Sequence, residues 1–246
     1  MKRYSWIDDM KGGLIVSCQV YEDEPIYTPT MAVKMAEAAE WAGAVGIRAN
    51  SPEQIKAIKE VVDLPIIGLY KHWYDNTDVF ITPTIEAVDA IIEAGCDIVA
   101  IDCTFQLNHQ GIPAIELLPV VKAKYPNVPI FADVSSVEEA KKAIEYGADI
   151  VAPTLYGYTK ATSHTEGADY RMFAEFCRLF NEEAYVFMEG HIFTTEDAMK
   201  CVFLGAHAVV VGGAITRPHL IAKRFVDLLN GYRTNWRDEQ TKKKTL

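Results

Sequence analysis

Ile98-Val99-Ala100-Ile101, running into Asp102, is one of eight short apolar runs in this chain that end in Gly or a polar residue and are followed by a helical pattern. The others are Leu14-Ile15-Val16 into Ser17-Cys18-Gln19, Val45-Gly46-Ile47 into Arg48, Ile66-Ile67-Gly68-Leu69 into Lys71, and Ile130-Phe131-Ala132 into Asp133. Ile150-Val151-Ala152 leads into Thr154, Tyr185-Val186-Phe187-Met188 into Glu189, and Val209-Val210-Val211 into Gly212-Gly213. Near-continuous apolar strands alternating with amphipathic helices form a parallel sheet buried on both faces. Eight such units in 246 residues predict a single α/β domain, a closed (β/α)8 TIM barrel. The residue after each run then points into one shared mouth.

A second periodicity supports this register. Ala42-Gly43-Ala44, Ala94-Gly95-Cys96, Tyr146-Gly147-Ala148 and Leu204-Gly205-Ala206 each close a helical pattern and launch a strand, with Gly as the left-handed helix stop. The glycines are spaced by 52, 52 and 58 residues, about two βα units each, so they precede strands 2, 4, 6 and 8. Strands 3 and 5 begin instead after Pro65 and Pro129, and Pro is tolerated at the start of a strand. Ser51-Pro52-Glu53-Gln54 and Ser136-Val137-Glu138-Glu139 read as capping boxes, and Thr194-Thr195-Glu196-Asp197 as a weaker one. Residues 161–167 carry no apolar period and are either a lid over the mouth or a surface loop. Residues 1–11 read as a short N-terminal extension and about 231–246 as a charged C-terminal tail.

The formal charge of −10 argues against nucleic acid or an anionic membrane surface as partner. Met1 to Trp6 followed by Asp8 and Asp9 shows no apolar signal core, and no run approaches membrane-spanning length. Five scattered cysteines without a CxxC pair fit a reduced cytoplasm.

Barrels of this type commonly hold a phosphate with the loops after strands 7 and 8 and the N-terminus of a short extra helix. Those loops read Glu189-Gly190-His191 and Gly212-Gly213-Ala214-Ile215-Thr216-Arg217-Pro218. Gly190, Gly212 and Gly213 let backbone N–H groups approach an anion closely, and Arg217 supplies a fixed cation. Paired glycines also mark simple close packing. Lys71 and Glu189 are the acid/base candidates: strands 3 and 7 lie opposite each other in an eight-membered ring, so a substrate between them could lose a proton to one and regain it from the other. A lysine acts as base where desolvation or neighbouring cations lower its pKa from about 10.4 toward 7 to 8. An exposed loop cation at Lys71 and an orienting carboxylate at Glu189 are the plainer alternatives. Gln19, Arg48, Asp102 and Asp133 converge on the same rim and offer hydrogen bonds to a polyol, with Thr154 and Tyr158 beside them. The six histidines show no HxH or HExxH spacing, so neither a metal nor another cofactor is expected.

Gly12 to Gln19, Gly43 to Asn50, Ile55 to Lys59 with Asp63 to Gly68, Asp78 to Thr82, Gly157-Tyr158-Thr159 and Val210 to Pro218 resemble the N-acetylmannosamine-6-phosphate 2-epimerase family. The resemblance runs from about Gly12 to Leu229. It implies a cytoplasmic, metal-independent barrel isomerase that interconverts N-acetylmannosamine 6-phosphate and N-acetylglucosamine 6-phosphate in sialic acid and amino-sugar breakdown, as a homodimer. It also implies Lys71 and Glu189 as the catalytic pair, Gln19, Arg48 and Asp102 as substrate ligands, and Arg217 as the strand-8 arginine. Three stretches depart from the family pattern. His72-Trp73-Tyr74 stands where Arg-Asp-Tyr is usual, Phe105-Gln106-Leu107-Asn108 lacks the usual basic residues, and His191 replaces a frequent Arg. Two other readings fit the same residues: a phosphosugar epimerase of changed specificity, and a catalytically silent barrel that binds a sugar phosphate.

Overall fold

The computed structural model describes residues 2–163 and 167–244, with side chains through Arg233. Its elements run α1 (Ser5–Asp8), β1 (Gly13–Cys18), α2 (Met31–Trp41), β2 (Gly46–Asn50), α3 (Pro52–Lys59), β3 (Ile66–Leu69), α4 (Ile85–Glu93), β4 (Ile98–Asp102), and α5 (Leu117–Lys124). They continue as β5 (Ile130–Asp133), α6 (Val137–Glu145), β6 (Ile150–Ala152), α7 (Tyr170–Phe180), β7 (Tyr185–Glu189), α8 (Thr195–Leu204), β8 (Ala208–Val211) and α9 (Pro218–Lys244). The strands are parallel and pair in sequence order, and β1 closes on β8 with Ile15 opposite Val210. The expected (β/α)8 barrel is the fold.

Period-two alternation divides the core into two layers. Val16, Cys18, Ile47, Ala49, Val99, Ile101 and Val186 face outward and pack under the helices. Ile15, Ile67, Leu69, Ile98, Ala100, Phe131, Ile150, Tyr185, Phe187 and Val210 fill the barrel lumen. Residues 2–11 cap the lumen from below: Ile7 of α1 and Met10 just after it are buried in the lumen cluster, and Tyr4 N donates to Tyr185 Oη at 3.0 Å. They are therefore part of the core.

Gly43, Gly95, Gly147 and Gly205 all have φ between 87° and 109°, the left-handed region the spacing argument requires. The caps are less regular than the sequence suggests. Thr194 and Asp197 form the reciprocal box, whereas Ser136 caps Glu139 N without return. The Glu139 carboxylate instead accepts from Ser135 N, Ser135 Oγ and Phe105 N. Ser51 Oγ accepts from Gln54 N, again one way.

Of the segment 161–167, residues 164–166 lie outside the described residues. Before them Thr162 Oγ1 accepts from Gly157 N and lies 2.8 Å from Thr159 Oγ1. The segment expected as a tail from residue 231 has a helical backbone through Lys244, because Gly231 does not interrupt α9. Residues 222–233 are all exposed.

Candidate active site

In seven of the eight strands the lumen-facing parity continues past the apolar part onto a polar residue or, after β8, a glycine. Ile15-Ser17-Gln19, Ile67-Leu69-Lys71, Ile98-Ala100-Asp102, Phe131-Asp133, Ile150-Ala152-Thr154, Tyr185-Phe187-Glu189 and Val210-Gly212 are successive steps of two along single strands. Polar groups thus replace apolar ones in the last layer at the C-terminal end of the barrel, where barrel enzymes carry their chemistry. A cavity of about 730 Å³ opens there, with Gln19, Arg48, Lys71, Thr154, Tyr158, Glu189, Gly190, Gly212, Gly213 and Arg217 on its wall.

Arg48 is the organising group. It lies inside β2, opposite Ser17 and Ile67, and not after the strand as the sequence reading placed it, because lumen parity begins at Gly46. Its side chain is 1% exposed; Nη1 and Nη2 donate to Asp133 Oδ1 and Oδ2 at 3.0 and 2.7 Å, and Nη1 also donates to Glu189 Oε2. Arg48 Nε has no partner among the described residues. The guanidinium lies 5.0 Å from the centre of the Phe131 ring. Burial pushes the Glu189 carboxyl up to about 7, with Arg48 opposing and Asp133 reinforcing the shift. Burial thus favours the protonated form of Glu189, and the Arg48 guanidinium favours the carboxylate.

The sequence reading grouped Asp102 and Asp133 with the rim. Instead the structure sets both behind it, as register partners at the ends of β4 and β5. Asp133 is fully buried, with both oxygens held by Arg48. Asp102 Oδ1 accepts from Thr104 N and Thr104 Oγ1, while Oδ2 has no partner among the described residues. Neither acid is on the cavity wall.

Lys71 projects from a short antiparallel excursion after β3, in which Lys71 bridges Ile81 and Tyr74 bridges Thr77. Its backbone N–H donates to Asn50 Oδ1 at 2.9 Å, and Nζ donates to the Tyr21 hydroxyl. The tip of the excursion is fastened to the loop after β4. Asn76 Nδ2 donates to the His109 carbonyl and Thr77 Oγ1 to that of Leu107, and Tyr74 stacks on His109 with ring centres 4.0 Å apart. The departing residue Trp73 stacks on Phe80, and His72 packs against Tyr70.

On the opposite side, Gly190 approaches the strand-6 loop so closely that a Cβ would stand 3.3 Å from the Thr154 carbonyl oxygen. Gly212 and Gly213 open a hydrogen-bonded turn in which Thr216 N donates back to the Gly212 carbonyl; no short extra helix intervenes before α9. Arg217 Nε donates to Glu24 Oε1 at 2.8 Å, and its guanidinium lies over the Tyr21 ring. His191, at φ 55°, stacks on Tyr158. Thr154 Oγ1 is buried on the wall without a partner among the described residues. Sequence reasoning missed Tyr21, Glu24, Phe80 and Thr216. Phe80, within Asp78 to Thr82, and Thr216, within the Gly212 to Pro218 motif, carried a local signal.

A closed barrel that gathers a lysine, a buried carboxyl and an arginine in one cavity at the C-terminal end of its strands has the build of a barrel enzyme. The family model described as "Putative N-acetylmannosamine-6-phosphate epimerase" matches residues 32–231. A relative from Caldanaerobacter subterraneus subsp. tengcongensis, named "Putative N-acetylmannosamine-6-phosphate 2-epimerase", is 47% identical over 223 residues, covering 91% of this chain and 93% of its own. One of the same name from Listeria welshimeri is 45% identical over 221 residues, covering 89% and 93%. The solved N-acetylmannosamine-6-phosphate 2-epimerase from Clostridium perfringens superposes with a TM-score of 0.85 at 38% identity, over 93% of this chain and 98% of that one. Thiamine phosphate pyrophosphorylase from Pyrococcus furiosus, at 18% identity and TM-score 0.59 over 85% and 89% of the two chains, shares the barrel. The chain belongs to the N-acetylmannosamine-6-phosphate epimerase family.

Proposed function

We propose that this protein interconverts N-acetylmannosamine 6-phosphate and N-acetylglucosamine 6-phosphate by proton transfer at C2. The observation that carries this reading is the meeting of Lys71 and Glu189 in one cavity around an arginine fixed from behind. In the open-chain sugar the C1 aldehyde acidifies the C2 proton, and the Lys71 amine removes it. Negative charge then develops on O1. The Arg48 guanidinium, locked by two hydrogen bonds to Asp133, meets it with little reorganisation. Glu189, whose carboxyl burial shifts toward the protonated form, returns a proton to the opposite face. Backbone N–H groups at Gly190, Gly212 and Gly213 with Arg217 take the 6-phosphate. Gln19, Thr154 and Tyr158 meet the sugar hydroxyls, and Asp133 serves substrate through Arg48.

A second arrangement has one specific observation in its favour: Glu189 is bonded to the buried Arg48. Lys71 would then both remove and return the proton while Glu189 orients Arg48. Proton NMR in deuterated water tests both levels. Addition of N-acetylmannosamine 6-phosphate should yield N-acetylglucosamine 6-phosphate carrying deuterium at C2, and absence of the epimer refutes the function. Full deuteration in the first turnover supports two separate groups; partial return of the substrate's own hydrogen supports a single base.

The same reading places the enzyme in the cytoplasm, in sialic acid and amino-sugar breakdown, as a homodimer. Among the described residues no helix is long and apolar enough to cross a membrane. For the dimer, Phe225, Leu228, Leu229 and Tyr232 fall at i, i+3, i+4 and i+7 on α9 and all are exposed, as is Phe203 on α8. An uncovered stripe at that spacing fits burial against a second copy.

A further inference from the structure

We infer that Tyr21 is a positioning residue that ties the proton-transfer lysine to the arginine of the phosphate end. This rests on the epimerase reading above and adds a residue that the strand pattern does not single out. Tyr21 lies in the loop after β1 and makes contacts in three directions.

Through its hydroxyl it meets Lys71 and the lumen. Lys71 Nζ donates to Tyr21 Oη, Tyr21 Oη lies 3.4 Å from Gln19 Oε1 as a donor, and Gln19 Nε2 donates to Ser17 Oγ at 2.8 Å. A lysine on a four-carbon stem is otherwise poorly ordered, and this hydrogen-bonded chain gives the Nζ a direction. Through its ring Tyr21 meets both cations: Lys71 Nζ and the Arg217 guanidinium each lie 5.0 Å from the ring centre. Both distances fall within the range of cation–π attraction. Through its backbone it shares an anchor with Arg217. Tyr21 N donates to Glu24 Oε2 at 3.3 Å, and Arg217 Nε donates to Glu24 Oε1 at 2.8 Å. A phosphate that draws on Arg217 therefore acts on the carboxylate and the ring that set Tyr21, and Tyr21 sets Lys71. The device makes alignment of the base sensitive to occupation of the phosphate end.

Tyr21→Phe removes the hydroxyl and keeps the ring beneath Arg217. Its kcat should fall about 10- to 100-fold, with KM for the phosphosugar changed less than about twofold. The primary isotope effect with C2-deuterated substrate should rise, because proton transfer becomes slower relative to other steps. In a Lys71→Ala background the same change should do nothing further. Glu24→Gln, which loosens the shared anchor, should raise KM as well as lower kcat, and thermal melts establish that each variant is folded. Acylation of the Lys71 amine by an amine-reactive ester, followed by mass spectrometry without any sugar, gives a readout independent of turnover. Tyr21→Phe should change its labelling rate several-fold. Wild-type kcat and wild-type labelling in folded Tyr21→Phe would overturn the inference. If the wild-type enzyme forms no epimer, the epimerase reading falls, and with it the positioning role. The labelling rate still reports separately whether the Tyr21–Lys71 bond orders the amine.

Discussion

Replacing Asp102 by Asn should make the protein more resistant to heat at alkaline pH than at acidic pH, relative to the parent. Burial pushes the Asp102 carboxyl from 3.8 up to about 7; hydrogen bonds from Thr104 oppose the shift and the charges of Asp133 and Glu139 add to it. Between those two values the folded protein keeps a proton that the unfolded chain releases, so stability falls as pH rises. The cost is absent below about pH 3.8 and complete above about pH 7. Each pH unit in that window is worth about 1.4 kcal/mol, giving a ceiling of about 4 kcal/mol in total and about 3 kcal/mol between pH 5 and pH 8. The Asn carbonyl oxygen can accept the bonds that Oδ1 receives from Thr104 N and Oγ1 at 2.9 and 2.7 Å. Its amide takes the place of the unpartnered Oδ2, at a cost of about 1–3 kcal/mol that does not vary with pH. The difference in Tm between variant and parent should thus grow by about 6–12 °C from pH 5 to pH 8, as measured by calorimetric scans in buffers of equal ionic strength. Parallel Tm curves for the two proteins across that range would refute the reasoning, whatever their absolute offset.

Three further outcomes follow from the site and the exposed helix. Lys71→Ala and Glu189→Gln should each lower kcat by about 10²- to 10⁴-fold in folded protein, read by coupled assay or NMR; a fully active Lys71→Ala would remove the lysine from proton transfer. Arg217→Ala should raise KM for the 6-phosphate sugar by removing the cation beside the Gly212-Gly213 turn, and an unchanged KM would move the phosphate elsewhere. Phe225→Glu, placing a charge in the middle of the α9 stripe, should convert a dimer to a monomer in light scattering, and an unaltered mass would show that this face is not the interface.

The barrel was legible because two independent periods agree. Apolar runs mark the strands, and left-handed glycines before β2, β4, β6 and β8 mark where the helices stop. The site was legible to the extent that its residues continue a strand. Lys71, Asp102, Asp133, Thr154 and Glu189 each stand one parity step beyond a lumen residue, so their side chains had to reach the barrel's upper end. Depth was harder to read. Nothing in Ala132-Asp133 distinguishes an acid that meets substrate from one whose two oxygens are consumed by Arg48. That pairing joins β5 to β2, and sequence proximity carries no trace of it.

Tyr21 and Glu24 mark the other limit. They lie beyond the end of β1, where strand parity has lapsed, and their partners Lys71 and Arg217 come from the loops after β3 and β8. A loop residue acquires its role from what the closed ring brings beside it, and β1 is the strand on which the ring closes, pairing with β8 on one side and β2 on the other. The loop after β1 is therefore near the turn after β8, and it reaches across β2 to the lysine-bearing excursion after β3. A tyrosine there can touch both cations at once, a placement that only ring closure creates.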